Sequence, residues 1–121
     1  MAVSMQVAYP VNNDTNFDLD YYVKKHLAII KENWSEHIQQ IIVTKGTSGG
    51  KDIPSPYYAI ATVIFENGDE MRAAMKKGGP VFKDIGNYYN TNPIMMLGEV
   101  VGLCLSILLT DFFTKPYMLI L

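Results

Sequence analysis

Strand-like and helix-like periodicities alternate along the first hundred residues, and their order restricts the folds open to this chain. Apolar and polar residues alternate from Val3 to Tyr9, which is typical of a half-buried strand. The pattern further predicts a helix from about Asp18 to Asn33, strands at 38–45 and 57–65, a short helix at 70–77 and a last strand at 93–101. The order β-α-β-β-α-β predicts an α+β, ferredoxin-like fold: an antiparallel sheet with both helices on one face.

Turn-forming residues separate these segments. Residues 46–56 are rich in Gly, Ser and Pro and predict a loop between the second and third strands. Gly78, Gly79 and Pro80 are expected to end the second helix, and residues 81–92 to be compact but irregular.

The third and fourth strands are apolar on both sides. In the third, Ala59, Ala61 and Val63 would face one way while Ile60 and Ile64 face the other. Two helices can cover only one face, and a sheet open to water on the other would alternate with polar residues. We therefore expect a second copy of the chain to cover that face, forming a homodimeric α/β barrel.

The first helix carries the most distinctive pair of side chains. At roughly 100° per residue, Val23, Leu27, Ile30 and Trp34 share the stripe that packs on the sheet, whereas Tyr22, His26, Ile29 and Asn33 share an adjoining stripe. The phenol and the imidazole, four residues apart, should touch at the margin of the core. They would form a site there, or else the imidazole only bonds a backbone carbonyl while the phenol fills space.

Composition excludes several classes of function. The 121 residues fit one domain, and a formal net charge of −2 without a basic stripe argues against nucleic-acid binding. The single cysteine, Cys104, permits no internal disulfide, and the N-terminus does not resemble a signal peptide, so a reducing, cytoplasmic location is expected. With two histidines and no clustered carboxylates, neither a metal site nor a cofactor is expected.

Several short motifs together resemble the EthD family of the dimeric α/β-barrel superfamily, which is named for a protein encoded with ethyl tert-butyl ether degradation genes. They span about residues 3–101 and are Ala8-Tyr9-Pro10, Phe17 to Tyr22 with His26, Gly46 to Gly50, Pro56 to Ile60, Asp84 to Tyr88, and Glu99 to Val101. The resemblance implies a ferredoxin-like subunit, a barrel made with a second subunit, and a pocket between sheet and helices near His26. Relatives in the superfamily include cofactor-free monooxygenases, small isomerases and polyketide cyclases, so the fold does not fix the function.

The candidate site residues centre on His26. An imidazole titrates at about 6.5, which makes it the natural general base near neutral pH. Tyr22 is the second catalytic candidate and, like Tyr58, could donate to an enolate or phenolate oxygen. The substrate-binding candidates, each with a purely structural alternative, are Tyr58, Asn87, which could orient a carbonyl, Tyr88, and the apolar walls Trp34 and Phe82.

Residues 102–121 depart from the family pattern. They are strongly apolar, but Asp111, Lys115 and Pro116 interrupt them, so no membrane span of about 20 apolar residues is expected. The segment is an added packing helix, an extension peculiar to this protein, or a stretch never selected to fold; the first is favoured. The predicted domain therefore ends at Val101.

Three functions stay open at this stage. The first is a small cofactor-independent enzyme of a catabolic or polyketide-type pathway, a monooxygenase, isomerase or cyclase, that acts by proton transfer on a compact organic metabolite. The second is a non-catalytic accessory protein that binds a hydrophobic intermediate for a partner oxygenase. The third is a structural oligomer without a pocket.

Overall fold

The computed structural model describes residues 1–103, and its core is a four-stranded antiparallel sheet. The strands are β1 (Val3–Pro10), β2 (Ile38–Lys45), β3 (Tyr57–Phe65) and β4 (Ile94–Glu99). Their order across the sheet is β2-β3-β1-β4, and the helices lie between β1 and β2 and between β3 and β4. The predicted ferredoxin-like α+β fold is therefore confirmed.

The pairing register assigns each strand residue to one face of the sheet. Val7 of β1 is opposite Ala61 on one side and Met95 on the other, so these three side chains point toward the helices. Alternate residues of β1 and β3 are buried on that face, and they are Met5, Val7, Tyr9, Ala59, Ala61, Val63 and Phe65. The helix-covered face thus contains the hydrophobic core.

Three consecutive segments form the first helix. The first is an α-helical turn, α1 (Leu19–Tyr21), and it is capped by Asp18, whose side chain accepts a hydrogen bond from the Tyr21 N–H. A π-helical segment (Tyr22–His26) follows, and α2 (Leu27–Trp34) completes the helix. In the π segment the Leu27 N–H donates to the Tyr22 carbonyl, five residues back. Such segments are rare and occur frequently at functional sites.

The π segment overturns part of the predicted helix packing. Val23, expected on the core stripe, is 53% exposed, whereas Tyr22 and His26 are fully buried in line with Ile30 and Trp34. Residues four apart drift by about 40° around an α-helix. The wider π turn removes that drift between Tyr22 and His26, so both aim into the core rather than at its margin.

The second helical region is also longer than predicted. Helix α3 (Gly68–Lys76) begins at Asn67, whose side chain accepts from the Glu70 N–H. A short helix, α4 (Gly79–Lys83), and a 3₁₀ turn (Asp84–Asn87) then occupy the part predicted to be irregular. Pro80, interpreted as a terminator, instead occupies the first turn of α4, where its missing N–H and fixed φ cost nothing.

The other face of the sheet is uncovered in the single chain. Ile42, Ile94 and Met96 are all exposed there, as the two-sided apolar pattern predicts. Among residues 1–103, no helix is long and apolar enough to cross a bilayer. The predicted extension at 102–121 lies outside the described residues except for Gly102 and Leu103, so its packing stays a prediction.

Candidate active site

A buried histidine–aspartate pair links the first helix to the 3₁₀ turn. The Nδ1 atom of His26 lies 2.8 Å from Oδ2 of Asp84, and both residues are buried. The π segment aims the imidazole inward from one side, and the turn after α4 brings the carboxylate from the other. Because an ionised carboxylate only accepts hydrogen bonds, Nδ1 carries the proton and donates it to Asp84.

Two tyrosines extend this pair into a hydrogen-bonded chain. The hydroxyl of Tyr88 lies 3.2 Å from Nε2 of His26, and the hydroxyl of Tyr9 lies 2.7 Å from that of Tyr88. Neutral His26, protonated on Nδ1, must accept at Nε2, so Tyr88 donates to it and Tyr9 donates to Tyr88. Every donor therefore points the same way, from Tyr9 through Tyr88 and His26 to Asp84.

The second oxygen of Asp84 anchors the carboxylate from the outer side. Its Oδ1 accepts from the Tyr21 hydroxyl at 2.7 Å and from the Asn87 side-chain amide at 2.9 Å. Three donors thus converge on one carboxylate, which fixes its orientation and keeps it ionised. Such an anchored carboxylate holds an imidazole in one tautomer and stabilises the imidazolium that forms when it takes up a proton.

The environment shifts the ionisation of each member of this network. Burial lowers the pKa of His26, and the hydrogen bond to Asp84 only partly opposes it. Burial by itself would raise the pKa of Asp84, but hydrogen bonds from Tyr21, Asn87 and His26 outweigh it, and the net pKa is lowered. Near neutral pH the pair is therefore a neutral imidazole on an ionised carboxylate.

The tyrosines of the chain stay protonated over the same pH range. Burial raises the pKa of Tyr9 to about 12. It also raises the pKa of Tyr88 and of Tyr22, to which the neighbouring Tyr9 adds. These phenols are consequently hydrogen-bond donors at neutral pH rather than bases.

A small cavity between sheet and helices adjoins His26. Its volume is about 20 Å³, enough for one water molecule and too small for an organic substrate. Its walls include the predicted residues Tyr22, Trp34 and Phe82. The Tyr22 ring centroid lies 5.0 Å from that of His26, so these two side chains touch, as expected from the sequence.

The other predicted residues lie in three different places. Tyr88 contacts His26 directly, and Asn87 contacts Asp84 rather than the cavity. Tyr58 does not line the cavity: its hydroxyl donates to the Thr15 carbonyl, and its ring stacks on Phe17. The structure therefore does not bring Tyr58 to His26: where the β1–β3 register shifts, its ring joins the aromatic cluster around Phe17 and Tyr89.

Asp84, Tyr9 and Tyr21 are network members that the sequence did not single out. Asp84 precedes Asn87 by three residues and Tyr88 by four, a spacing that places all three side chains together on one tight turn. A signal was thus available in the Asp84–Tyr88 motif. It was missed because a lone carboxylate before a polar turn is usually solvated.

The second histidine lies in a separate cluster. The side chain of His37 is only 12% exposed, and its Nδ1 atom lies 2.8 Å from Oε1 of Glu70. Glu36 approaches its other nitrogen and also pairs with Lys77. Within residues 1–103, no group of three or more His, Cys, Asp and Glu side chains is placed to hold a metal ion.

Solved structures of similar fold include EthD-like proteins. An EthD-like protein from Ralstonia eutropha JMP134 superposes with a TM-score of 0.76 at 27% sequence identity, over 84% of this chain and 93% of the other. The chain is therefore similar to an EthD-like protein in both fold and sequence. An ethyl tert-butyl ether degradation (EthD) family protein from Bacillus halodurans C-125 matches with a TM-score of 0.68 at 18% identity, over 84% of this chain and all of the other.

A third structure extends the likeness at the level of the fold alone. It is a dimeric protein of unknown function with a ferredoxin-like fold from Bacteroides fragilis NCTC 9343, with a TM-score of 0.50 at 14% identity, over 82% of this chain and 96% of the other. No family model and no curated protein matches the sequence. The comparisons thus show the ferredoxin-like fold and a likeness to EthD-like proteins, and they identify no reaction or ligand.

Proposed function

We propose that this EthD-like protein is a small, cofactor-independent enzyme that removes a proton from a compact organic substrate, with His26 as the general base. The observation that carries the proposal is the 2.8 Å contact between Nδ1 of His26 and the anchored carboxylate of Asp84. A buried imidazole held neutral, with a carboxylate ready to stabilise its protonated form, is the arrangement that proton abstraction requires.

The hydrogen-bonded chain defines a route for the proton. His26 accepts at Nε2, either directly from a substrate that displaces the Tyr88 hydroxyl or through that hydroxyl, which passes one proton on as it receives another. The imidazolium then interacts with Asp84, and the carbanion or enolate left on the substrate is stabilised by a donor from Tyr22 or Tyr88. Oxygenation, isomerisation and cyclisation all begin from such a carbanion.

A second candidate is an accessory protein that binds a hydrophobic compound without transforming it. The small size of the cavity favours it, since about 20 Å³ beside an imidazole that is 2% exposed admits no substrate without movement of the walls. Under this hypothesis the Asp84–His26 pair stabilises the fold, and the compound binds elsewhere on the subunit.

We also propose that the protein is a homodimer joined through its uncovered sheet face. The exposed Ile42, Ile94 and Met96 support this pairing, because a monomer rarely leaves such a patch in water. The Bacteroides fragilis neighbour with the same fold is described as dimeric. A stable dimer of this kind should bury at least about 1,500 Å² in total.

The first step shared by the three reactions can be measured without knowing the product. Aryl ketones and β-keto esters in D₂O exchange the hydrogens next to their carbonyl group when a base removes them. We expect the wild-type protein to accelerate this exchange for at least one compact member of the panel, as followed by ¹H NMR. Binding without exchange would favour the accessory protein, and neither binding nor exchange would leave only a structural role.

A further inference from the structure

A surface groove adjoins the closed cavity and shares two of its walls. We propose that this groove binds the body of a neutral, partly apolar ligand, and that Phe82 and Ile85 form a movable wall between the ligand and His26. The inference rests on the proposed function for its purpose, but the groove and its wall are testable without any turnover.

The geometry of the two spaces carries the proposal. The groove is open to solvent and offers about 630 Å³, within the range of small-molecule sites, whereas the cavity holds about 20 Å³. Phe82 and Ile85 line both spaces, and both side chains are only partly buried. A ligand in the groove is therefore separated from the His26 cavity by these two side chains.

The residues around the groove indicate the class of ligand. One part is apolar, formed by the shared wall with Tyr89, Pro93 and Met95, and the other offers the polar side chains of Thr91 and Asn92. Asn90 also lines it, but its amide already holds the Asn16 N–H and the Asp14 carbonyl. No lining residue is charged, so a flat apolar body with carbonyl or hydroxyl oxygens fits better than an ion.

Phe82 and Ile85, which form the wall, lie in a short segment between Gly79 and Gly86. Gly78 precedes α4, and a Cβ atom there would lie 2.7 Å from the Phe82 ring, so the ring packs where it does only because residue 78 has no side chain. A Cβ at Gly79 or Gly86 would meet nothing within 4 Å. The same short segment holds Asp84, so movement of the wall also changes the setting of the His26–Asp84 pair.

Access to His26 can be measured by its reaction with diethyl pyrocarbonate, which modifies neutral imidazoles. The chain has two histidines, so His37 serves as the internal reference, and mass spectrometry of peptides gives the ratio of the two rates. In the wild type we expect His26 to react slowly. Phe82→Ala and Ile85→Ala should each raise the His26:His37 ratio by about tenfold or more, since direct access replaces an opening step.

Val81→Ala is the matched control. Val81 lies on the same helix and lines the cavity but not the groove, so its truncation enlarges the cavity without joining it to the surface. Thermal melts followed by circular dichroism select the variants that fold, and either wall variant suffices. An unchanged ratio in the wall variants, or an equal rise in Val81→Ala, would overturn the movable wall.

Acetophenone and benzoate test the groove itself. They are similar in size, but only benzoate is charged. Acetophenone should shift the amide NMR signals of residues 89–93 in the wild type and slow the labelling of His26, whereas benzoate should do neither. Equal shifts from both compounds, or none from acetophenone, would overturn the groove assignment. Acetophenone that binds there without any deuterium exchange in the ketone panel would leave the groove standing and remove the catalytic proposal.

Discussion

The two faces of the sheet differ in how far their side chains are buried: the helices cover one face, and the other is open to water. The helix-covered face encloses aromatic and aliphatic side chains together with a polar chain from Tyr9 to Asp84 in which each hydroxyl and imidazole is paired. The opposite face presents Ile42, Ile94 and Met96 to water, with the hydrogen-bonded side chains of Gln6 and Thr62 between them. In the single chain, one face of the sheet is thus covered and the other is not.

We relate the covered face to the proposed proton transfer and the open face to the proposed dimer formation. Buried polar groups are costly unless they are bonded, so a closed polar chain inside a core indicates a specific use for it. The open face offers mainly exposed apolar area, which suits the pairing of two identical surfaces. We therefore expect substitutions on the two faces to have different consequences.

The largest effect should come from placing a charge on the open face. Met96→Lys puts an unpaired ammonium into the proposed interface, where burial of a charge costs several kcal/mol, and both subunits carry it. Light scattering should give twice the 13.6 kDa chain mass for the wild type and the single-chain mass for the variant. Val23→Lys, at an exposed apolar position on the helix side, should remain dimeric. A monomeric wild type would contradict the two-face account.

A second test alters the polar chain on the covered face. His26→Asn keeps a polar group at the site but removes the base, and the ketone exchange rate should fall by about 10²–10⁴. Asp84→Asn should lower the exchange rate less, because the imidazole remains but loses its hydrogen bond to an ionised carboxylate. His37→Asn is the control and should exchange at the wild-type rate. Equal losses in the two single histidine variants would mean that the rate reflects folding rather than proton transfer.

Truncation of one methionine on each face compares the faces directly. Met5→Ala removes a side chain that is 1% exposed under the helices and should lower the free energy of unfolding by about 2–5 kcal/mol. Met96→Ala, 58% exposed on the open face, should change the unfolding of a single chain by less than about 0.5 kcal/mol. Denaturant titration at low protein concentration measures both values. Similar losses would show that the open face is part of the subunit core.

The smallest expected effect is the pH dependence of stability. The pKa of His26 is lower in the folded chain than its value of about 6.5 in the unfolded chain, so the unfolded state binds more protons between those two pKa values. Stability is then complete above about pH 6.5 and falls as the pH drops toward the folded pKa, by at most about 1.4 kcal/mol per pH unit. His26→Asn should flatten this decline relative to the wild type, and an unchanged slope would mean that the imidazole is not buried neutral.

The periodicity of the sequence correctly predicted which strand residues face the core, but it misplaced part of the first helix. Alternation in β1 and β3 reports directly on which residues face the core, so the buried face and the two-sided apolar pattern followed from it. The α-helical period failed for Val23 because no residue pattern marks a π turn in advance. Propensity rules likewise placed a terminator at Pro80, where the structure begins a new helix.

The sequence predicted the contact between His26 and Tyr22 but not the carboxylate that binds the imidazole. His26 and Tyr22 followed from their spacing, and Tyr88 was among the candidates. Asp84 was not, because the partner of a buried imidazole depends on which distant turn packs against it, and 58 residues separate the two. Tyr58 packs on Phe17 instead of lining the His26 cavity, so its proposed role in substrate binding stays a prediction.

The tautomer and the pKa of His26 show whether Asp84 holds a neutral base, and ¹⁵N–¹H NMR of the two histidine side chains measures both. The account predicts that at neutral pH His26 is uncharged with its proton on Nδ1, that its pKa lies below 6.5, and that Asp84→Asn lowers it further because the favourable carboxylate contact is lost. A proton on Nε2, or a pKa at or above the ordinary value, would contradict a neutral base held by Asp84.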